Sequence, residues 1–484
     1  MLLDPPRVDS DGFAVPAQVC RPASEPDQGI GTPRIVVVGL LRSRKTLFVG
    51  GAHLGGLGWS PEGVAKQRNG LCADWEFPQV LVAIVSGASD RRGADDEDYC
   101  ASHGFVASGG GGGRRSEMAN CYRTHPWPAP KGSPCLPQQL QPVQILSMHA
   151  NRFTPTAFLP ARWLPGPHLQ TLGARLLRPG GGIPLWRERV ELPDGDFVDL
   201  DFAVDPESLA RDGRRPLVLL LHGLEGSARS KYALETYRAL ERRGIAAVGL
   251  NFRSCSGELN RLPRMYHSGD TGDIAFVIRL LAERFPESRR GVIGFSLGGN
   301  ALLKFLGESG ESARAHLEAA AAVSVPYDLS VGADYLARPS GRCYSWFLLR
   351  KLQRKVRAKQ HNMPPEVDIK RALAAKTFRE FDDAATAPLH RFNGAEDYYQ
   401  RSSSRRFIAR IKIPTLLLQA ADDPFQPTEG VPATAFRDNP NIVAVLTETG
   451  GHVGFVARSF PWDPVFWCEA EVARYMEAML VDRK

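Results

Sequence analysis

Residues 291–300 read Gly291-Val292-Ile293-Gly294-Phe295-Ser296-Leu297-Gly298-Gly299-Asn300. A short apolar run leads into Gly-x-Ser-x-Gly, and Ala301–Leu306 continues with helical character. The bare pattern arises by chance roughly 0.2 times in a chain of this length at average residue frequencies, so its weight comes from context. A buried strand that ends in a glycine-flanked serine and opens a helix is the strand–turn–helix elbow an exposed nucleophile needs. The glycines let the chain turn sharply and pack closely, which lifts the Ser296 hydroxyl above the sheet edge. The plainer alternative is an ordinary Gly-rich βα turn with a serine cap.

Outward from this point the chain alternates strand and helix. Val190–Val204 holds two alternating runs around Pro193-Asp194-Gly195-Asp196, a hairpin signal. Pro216–Leu221 is continuously apolar, as a strand buried on both faces should be. Ser230–Arg243 has helical spacing, Ile245–Leu250 is a second buried strand, and Asp273–Phe285 is helical with Ile274, Val277, Ile278 and Leu281 on one face. Ala319–Val325, Pro414–Gln419 and Ile442–Leu446 supply further strands. This rhythm predicts an α/β fold with a mainly parallel, doubly wound sheet. Residues 328–410 break it. The segment is long and rich in basic and aromatic residues, and it predicts a helical cap over the carboxyl end of the sheet, where open α/β sheets place their sites.

A serine hydroxyl needs a base to become a nucleophile. His452, in Thr449-Gly450-Gly451-His452-Val453-Gly454, follows the last strand and suits that role. An acid must then fix the imidazole tautomer and stabilise the imidazolium. Asp422 and Asp423 both follow the Pro414–Gln419 strand, and two adjacent carboxylates cannot both face the ring. Asp422 is the favoured one. Two N–H donors should hold the oxyanion: that of Leu297, after the nucleophile, and that of Leu224 in His222-Gly223-Leu224-Glu225-Gly226. His222 is expected to hold this loop by hydrogen bonding rather than to act as the base.

Residues 1–147 differ in character. They include Gly109–Gly113 in one run, many Pro and Arg, and only scattered apolar runs. They predict a poorly ordered extension. The abrupt change at Met148 further predicts that the natural protein starts there, which intact mass would decide. Over the whole chain of 484 residues, composition is ordinary for a globular protein, 43% hydrophobic and 23% charged. A net charge of +7 spread over this length gives no case for nucleic-acid binding. None of the eight cysteines forms a CxxC pair, which argues against a structural zinc site. No secretory signal and no spanning segment of about 20 apolar residues is visible, and this favours the cytoplasm.

From about Phe153 onward the chain resembles the YheT-type branch of the α/β-hydrolases, an esterase group. The matching stretches are Trp163–Thr171, Glu191–Asp196, His222–Gly226, Asn251–Glu258, Tyr266–Gly269, Gly294–Asn300, Asp422–Phe425 and Gly450–Phe455. The resemblance implies an α/β-hydrolase fold and a triad of Ser296, Asp422 and His452. It favours the first aspartate through its separation from the histidine. Ser254 departs from the pattern, which expects glycine there.

Such a site implies acyl transfer through an acyl-enzyme on a small-molecule or lipid ester, short or medium in acyl chain, with no metal or organic cofactor. A thioesterase or an acyltransferase would use the same residues, and a non-catalytic ligand-binding protein of this fold would usually have lost one of them. In the cap, Leu348–Lys359 places Leu349, Leu352 and Val356 on one helical face, with Arg350, Lys351, Arg354, Lys355 and Arg357 elsewhere. Such a helix suits peripheral contact with an anionic membrane; the plainer reading packs its apolar stripe on the sheet and turns its charges to water.

Overall fold

The computed structural model describes residues 153–458 and 460–481, and before them only four short strand segments, 36–43, 46–53, 80–81 and 144–145. The chain divides into two units, 1–131 and 132–484. Every residue singled out for chemistry lies in the second. The expectations for residues 1–147, an extension and a start at Met148, fall almost wholly outside the described residues.

Eight strands build the sheet of the second unit: β1 Trp186–Glu191, β2 Phe197–Phe202, β3 Leu217–Leu221, β4 Ala246–Asn251, β5 Arg290–Phe295, β6 Ala319–Val323, β7 Thr415–Ala420 and β8 Ile442–Thr447. Their spatial order is β1-β2-β4-β3-β5-β6-β7-β8, with Gln144–Ile145 as a two-residue antiparallel addition beside β8. β3 to β8 pair in parallel, while β1 and β2 run antiparallel. The predicted strands are all present, within a residue or two at most of their ends except for the first pair. That pair turns through residues 192–196, where Gly195 takes φ +83°.

The parallel strands are covered on both faces, which explains their unbroken apolar sequences. In β3, Leu217, Leu219 and Leu221 face one core, and Val218 and Leu220 face the other. The chain leaves β3 for β4 on one side and then crosses back to β5 on the other. The gap between the carboxyl ends of β3 and β5 is therefore a topological switch point, where such sheets bind ligands. Leu221 lies beside Gly294 there.

Three helices frame that gap: α1 Gly166–Leu177, α2 Leu297–Ser309 and α3 Arg342–Lys359; α4 Trp467–Leu480 covers one face of the sheet. α3 belongs to a run of helices inserted between β6 and β7, which has its own core around Leu349, Val356, Phe381 and Tyr398. The insertion is tied to the loop after β4 and to the first turn of α2. The Tyr398 hydroxyl accepts the Ser268 N–H at 3.0 Å, and Asn300 donates to the Ser402 carbonyl at 2.9 Å.

α3 corrects the plainer reading of its charges. Leu349 and Val356 are buried in the insertion's own core rather than on the sheet, and Lys351, Lys355 and Lys359 turn inward as well, spaced four apart on one stripe. Arg350, Arg354 and Arg357 remain on the exposed face. The reason is chemical: buried acceptors on the body match a compact ammonium on a flexible stem, so the lysines exchange water for fixed partners.

Candidate active site

Ser296 sits at the turn from β5 into α2 with φ +52° and ψ −119°, a region a non-glycine residue rarely occupies. Its N–H donates to the Val323 carbonyl of β6 at 2.9 Å, which fixes the turn to the neighbouring strand. Gly298 lets α2 approach β3: a Cβ there would lie 2.5 Å from the Leu221 carbonyl oxygen and 2.6 Å from that of His222. Gly294 is needed for a similar reason, since its Cβ would meet the Gly298 oxygen at 2.6 Å. The glycines of the pattern are thus steric requirements of the elbow.

The imidazole of His452 reaches this hydroxyl, with Nε2 2.9 Å from Ser296 Oγ. Its position is held from several sides. The His452 N–H donates to Thr171 Oγ1 of α1 at 2.9 Å, and the Val453 N–H donates to Ser324 Oγ at 2.9 Å. Arg178, at the end of α1, donates to the Val453 carbonyl at 2.7 Å and forms a buried ion pair of 2.6 Å with Glu469 of α4. Gly451 takes φ +63°, and any Cβ on it would meet the Pro167 oxygen at 2.5 Å. The Phe425 ring lies parallel to the imidazole at a centroid distance of 3.9 Å.

Asp423, not Asp422, faces the ring. The two oxygens of Asp423 lie 2.9 and 3.1 Å from His452 Nδ1, and the side chain is buried. Asp423 also accepts the Phe425 N–H at 2.8 Å and an amide N–H of Gln419 at 3.2 Å, so its direction is fixed before the histidine arrives. Asp422 points elsewhere and accepts the Gly451 N–H at 2.9 Å. Burial, and then the neighbouring Asp423 charge, raise its carboxyl above the usual range. The expectation for Asp422 is therefore corrected. Both lie in the turn that follows β7, where the Asp423 N–H donates to the Ala420 carbonyl at 3.3 Å, and a separation counted along the sequence does not say which of two neighbours faces inward. Asp422 instead holds the backbone just before the histidine.

The loop 222–226 runs against the serine: a Cβ on Gly223 would lie 3.2 Å from Ser296 Cβ. Its N–H groups are nearly all committed. Gly223 donates to the Tyr232 hydroxyl, Glu225 to the Tyr266 hydroxyl, and Gly226 to the Gly223 carbonyl. Among the described residues no protein acceptor is assigned to the Leu224 N–H, nor to that of Leu297 in the first turn of α2, where helical N–H groups lack intrahelical partners. His222 is buried and bridges this loop to the next strand's end. One ring nitrogen contacts the Gly223 carbonyl at 2.8 Å, and Nε2 accepts the Phe252 N–H at 3.2 Å. Burial pushes its pKa down to about 3, which keeps the ring neutral.

Ser254, where the family pattern expects glycine, takes φ +63°. That left-handed conformation is why glycine suits the position. Here the serine hydroxyl offsets the strain by bonding to Asn260, donating to Oδ1 at 2.5 Å and accepting the N–H at 3.1 Å. Other participants carry no signal in the sequence that assigns them a role. Phe425 and Thr171 stand inside matching stretches with nothing to mark either as a partner of the histidine, and Ser324 carries no pattern that announces a contact with a distant loop.

Among the described residues, no group of three or more His, Cys, Asp or Glu side chains could hold a metal ion, and no helix is long and apolar enough to cross a membrane. Comparison with known proteins bears on the fold and the family. A family described as the alpha/beta hydrolase fold matches residues 216–458. The chain is 36% identical over 343 residues to the candidate esterase YheT of Escherichia coli (strain K12), spanning 70% of this chain and 98% of that one. It is 31% identical over 299 residues to phospholipase ABHD3 of Mus musculus, spanning 60% and 72% respectively. A monoacylglycerol lipase of Saccharomyces cerevisiae is 33% identical over 262 residues, spanning 52% of this chain and 58% of its own.

Proposed function

We propose, for a chain that belongs to the α/β-hydrolase family and to its YheT-like group, that Ser296, His452 and Asp423 act as a catalytic triad. The protein is a carboxylic ester hydrolase. The single observation that carries the triad is the continuous line from Asp423 through both ring nitrogens of His452 to Ser296 Oγ, with contacts of 2.9 Å on each side of the ring.

In this reading His452 Nε2 takes the Ser296 proton as Oγ attacks the ester carbonyl. Asp423 holds the opposite nitrogen protonated and stabilises the imidazolium that forms. The uncommitted N–H groups of Leu224 and Leu297 receive the oxyanion, each worth about 10²–10³ in turnover when such a donor is lost. The imidazolium returns its proton to the leaving alcohol, and the acyl group remains on Ser296. Water, deprotonated by the same imidazole, then releases the acid and restores the serine. A lipid or short-to-medium acyl ester is the substrate class; the names of the phospholipase and lipase relatives support it.

A panel of p-nitrophenyl esters from acetate to palmitate tests this on wild type and Ser296→Ala. The variant should lose about 10⁶ in kcat while keeping the wild-type melting temperature. A fluorophosphonate probe should label wild type at Ser296 alone. Turnover that survives the substitution, or absence of both turnover and labelling in wild type, would sink the proposal.

A further inference from the structure

α1 and α3 present matching stripes to each other beside the serine. On α1 these are His168, Thr171 and Arg175, spaced three and four apart; on α3 they are Tyr344, Phe347 and Lys351, with the same spacing. The His168 and Tyr344 rings stack at 5.7 Å and share a hydrogen bond of 3.0 Å. One turn on, the Arg175 guanidinium and the Lys351 ammonium both lie against the Phe347 ring, at 5.3 and 5.1 Å from its centroid. This seam leads to the candidate triad. Thr171 holds the backbone of His452, Tyr344 packs on Phe425 at 4.8 Å, and Lys351 donates to the Glu225 carbonyl at 3.1 Å, one residue from Leu224.

The charges along the seam do not balance. Glu225 is the carboxylate beside Lys351, and its side chain is already bound by Lys355 at 2.7 Å and by the Tyr266 hydroxyl at 3.0 Å. Cys255, 3.1 Å from Lys355, brings no charge, because burial pushes its thiol up to about 11. Among the described residues neither Arg175 nor Lys351 has a carboxylate partner. Burial lowers the Lys351 ammonium below its usual range, and Arg175 adds to this while Glu225 opposes it. Two cations held against one ring, one of them half-buried, are poorly compensated without an anion. Exposed Leu172 and Leu176, next in sequence to Thr171 and Arg175 on α1, add apolar surface beside them. The arrangement therefore matches a ligand with an acidic group and an apolar chain.

We propose that the seam between α1 and α3 is an anion subsite of the ester-binding site, in which Arg175 and Lys351 around Phe347 take the phosphate or carboxylate group of an amphiphilic ester. This rests on the placement of the scissile carbonyl at Ser296 proposed above. The protein would then select acidic lipid-like esters over neutral ones.

Calorimetric binding to the full Ser296→Ala chain tests the subsite without requiring turnover. Decyl phosphate should bind at least about tenfold more tightly than decanol, a difference of the size one or two close charge pairs supply. High salt should reduce that preference, and Arg175→Gln combined with Lys351→Gln should abolish it, while Lys351→Arg retains it. Arg175→Gln alone, at an exposed position, should weaken it measurably without disturbing the fold. Decanoate binding as tightly as decyl phosphate assigns a general anion site; weaker decanoate binding assigns a phosphate site. Equal affinity for decyl phosphate and decanol, or a preference that survives the double substitution, would overturn the inference. Loss of ester turnover and of probe labelling in wild type would instead count against the triad, and the binding result would still decide the subsite.

Discussion

The turn at Ser296 and the helix Arg342–Lys359 approach the same gap above the sheet, yet they are built on opposite terms. The turn is set by backbone contact. Ser296 is held at φ +52°, Gly298 meets two carbonyl oxygens where a Cβ would fall, and the strand beside it accepts the Ser296 N–H. The helix is positioned by side-chain charge. Lys351 and Lys355 grip Glu225, and Lys359 reaches Asn260 at 2.7 Å, all from the stripe that faces the body. Steric requirements admit few residue types and so leave a legible pattern. Charge pairing across a helix face admits many, and the same composition would suit a solvated face or a membrane surface. One region carries the proposed chemistry, and the other the proposed choice of substrate.

Three tests sharpen this comparison. The largest effect is expected within the backbone-built region. Asp423→Asn should lower kcat by about 10³–10⁴ with little change in KM, because the imidazole loses the acceptor that fixes its tautomer. Asp422→Asn should cost less than about tenfold, since the Gly451 N–H keeps a carbonyl acceptor. Steady-state kinetics on one ester decides the pair, and the reverse ranking would return the role to Asp422.

Next comes Gly298→Ala, which forces a Cβ onto the Leu221 and His222 carbonyl oxygens. Overpacking against backbone should destabilise the fold by about 3 kcal/mol, read from urea unfolding. A neutral result would mean that the elbow yields, and that its glycines are not steric requirements.

The smallest effect separates the two faces of the helix. Lys355→Met removes one partner of an ion pair whose Glu225 side is 4% exposed, and should cost about 2 kcal/mol through the lost hydrogen bond to a charged group. Arg354→Met on the outer face should stay within about 0.5 kcal/mol. Equal costs would mean that the inward stripe does no more than the outward one.

Much of the site is legible in the amino-acid sequence. Continuous apolar runs mark the buried strands because both faces of a parallel sheet are covered, and Gly294, Gly298 and Gly451 sit where the chain must pass close to other backbone. Ser296 and His452 follow strands, so the order of elements is enough to send both to one edge of the sheet. Choices between neighbours and between faces stay open at that level. Asp422 and Asp423 differ by one position, and only the path of the loop after β7, fixed by the Phe425 N–H and the Gln419 amide, turns the second toward the imidazole. Lys355 and Arg354 are adjacent cations on one helix, and only the acceptors across the interface draw one inward. A sequence determines by itself what local sterics and burial demand of each residue type; which partner a side chain meets depends on segments far away in the chain, and tertiary packing alone brings those together.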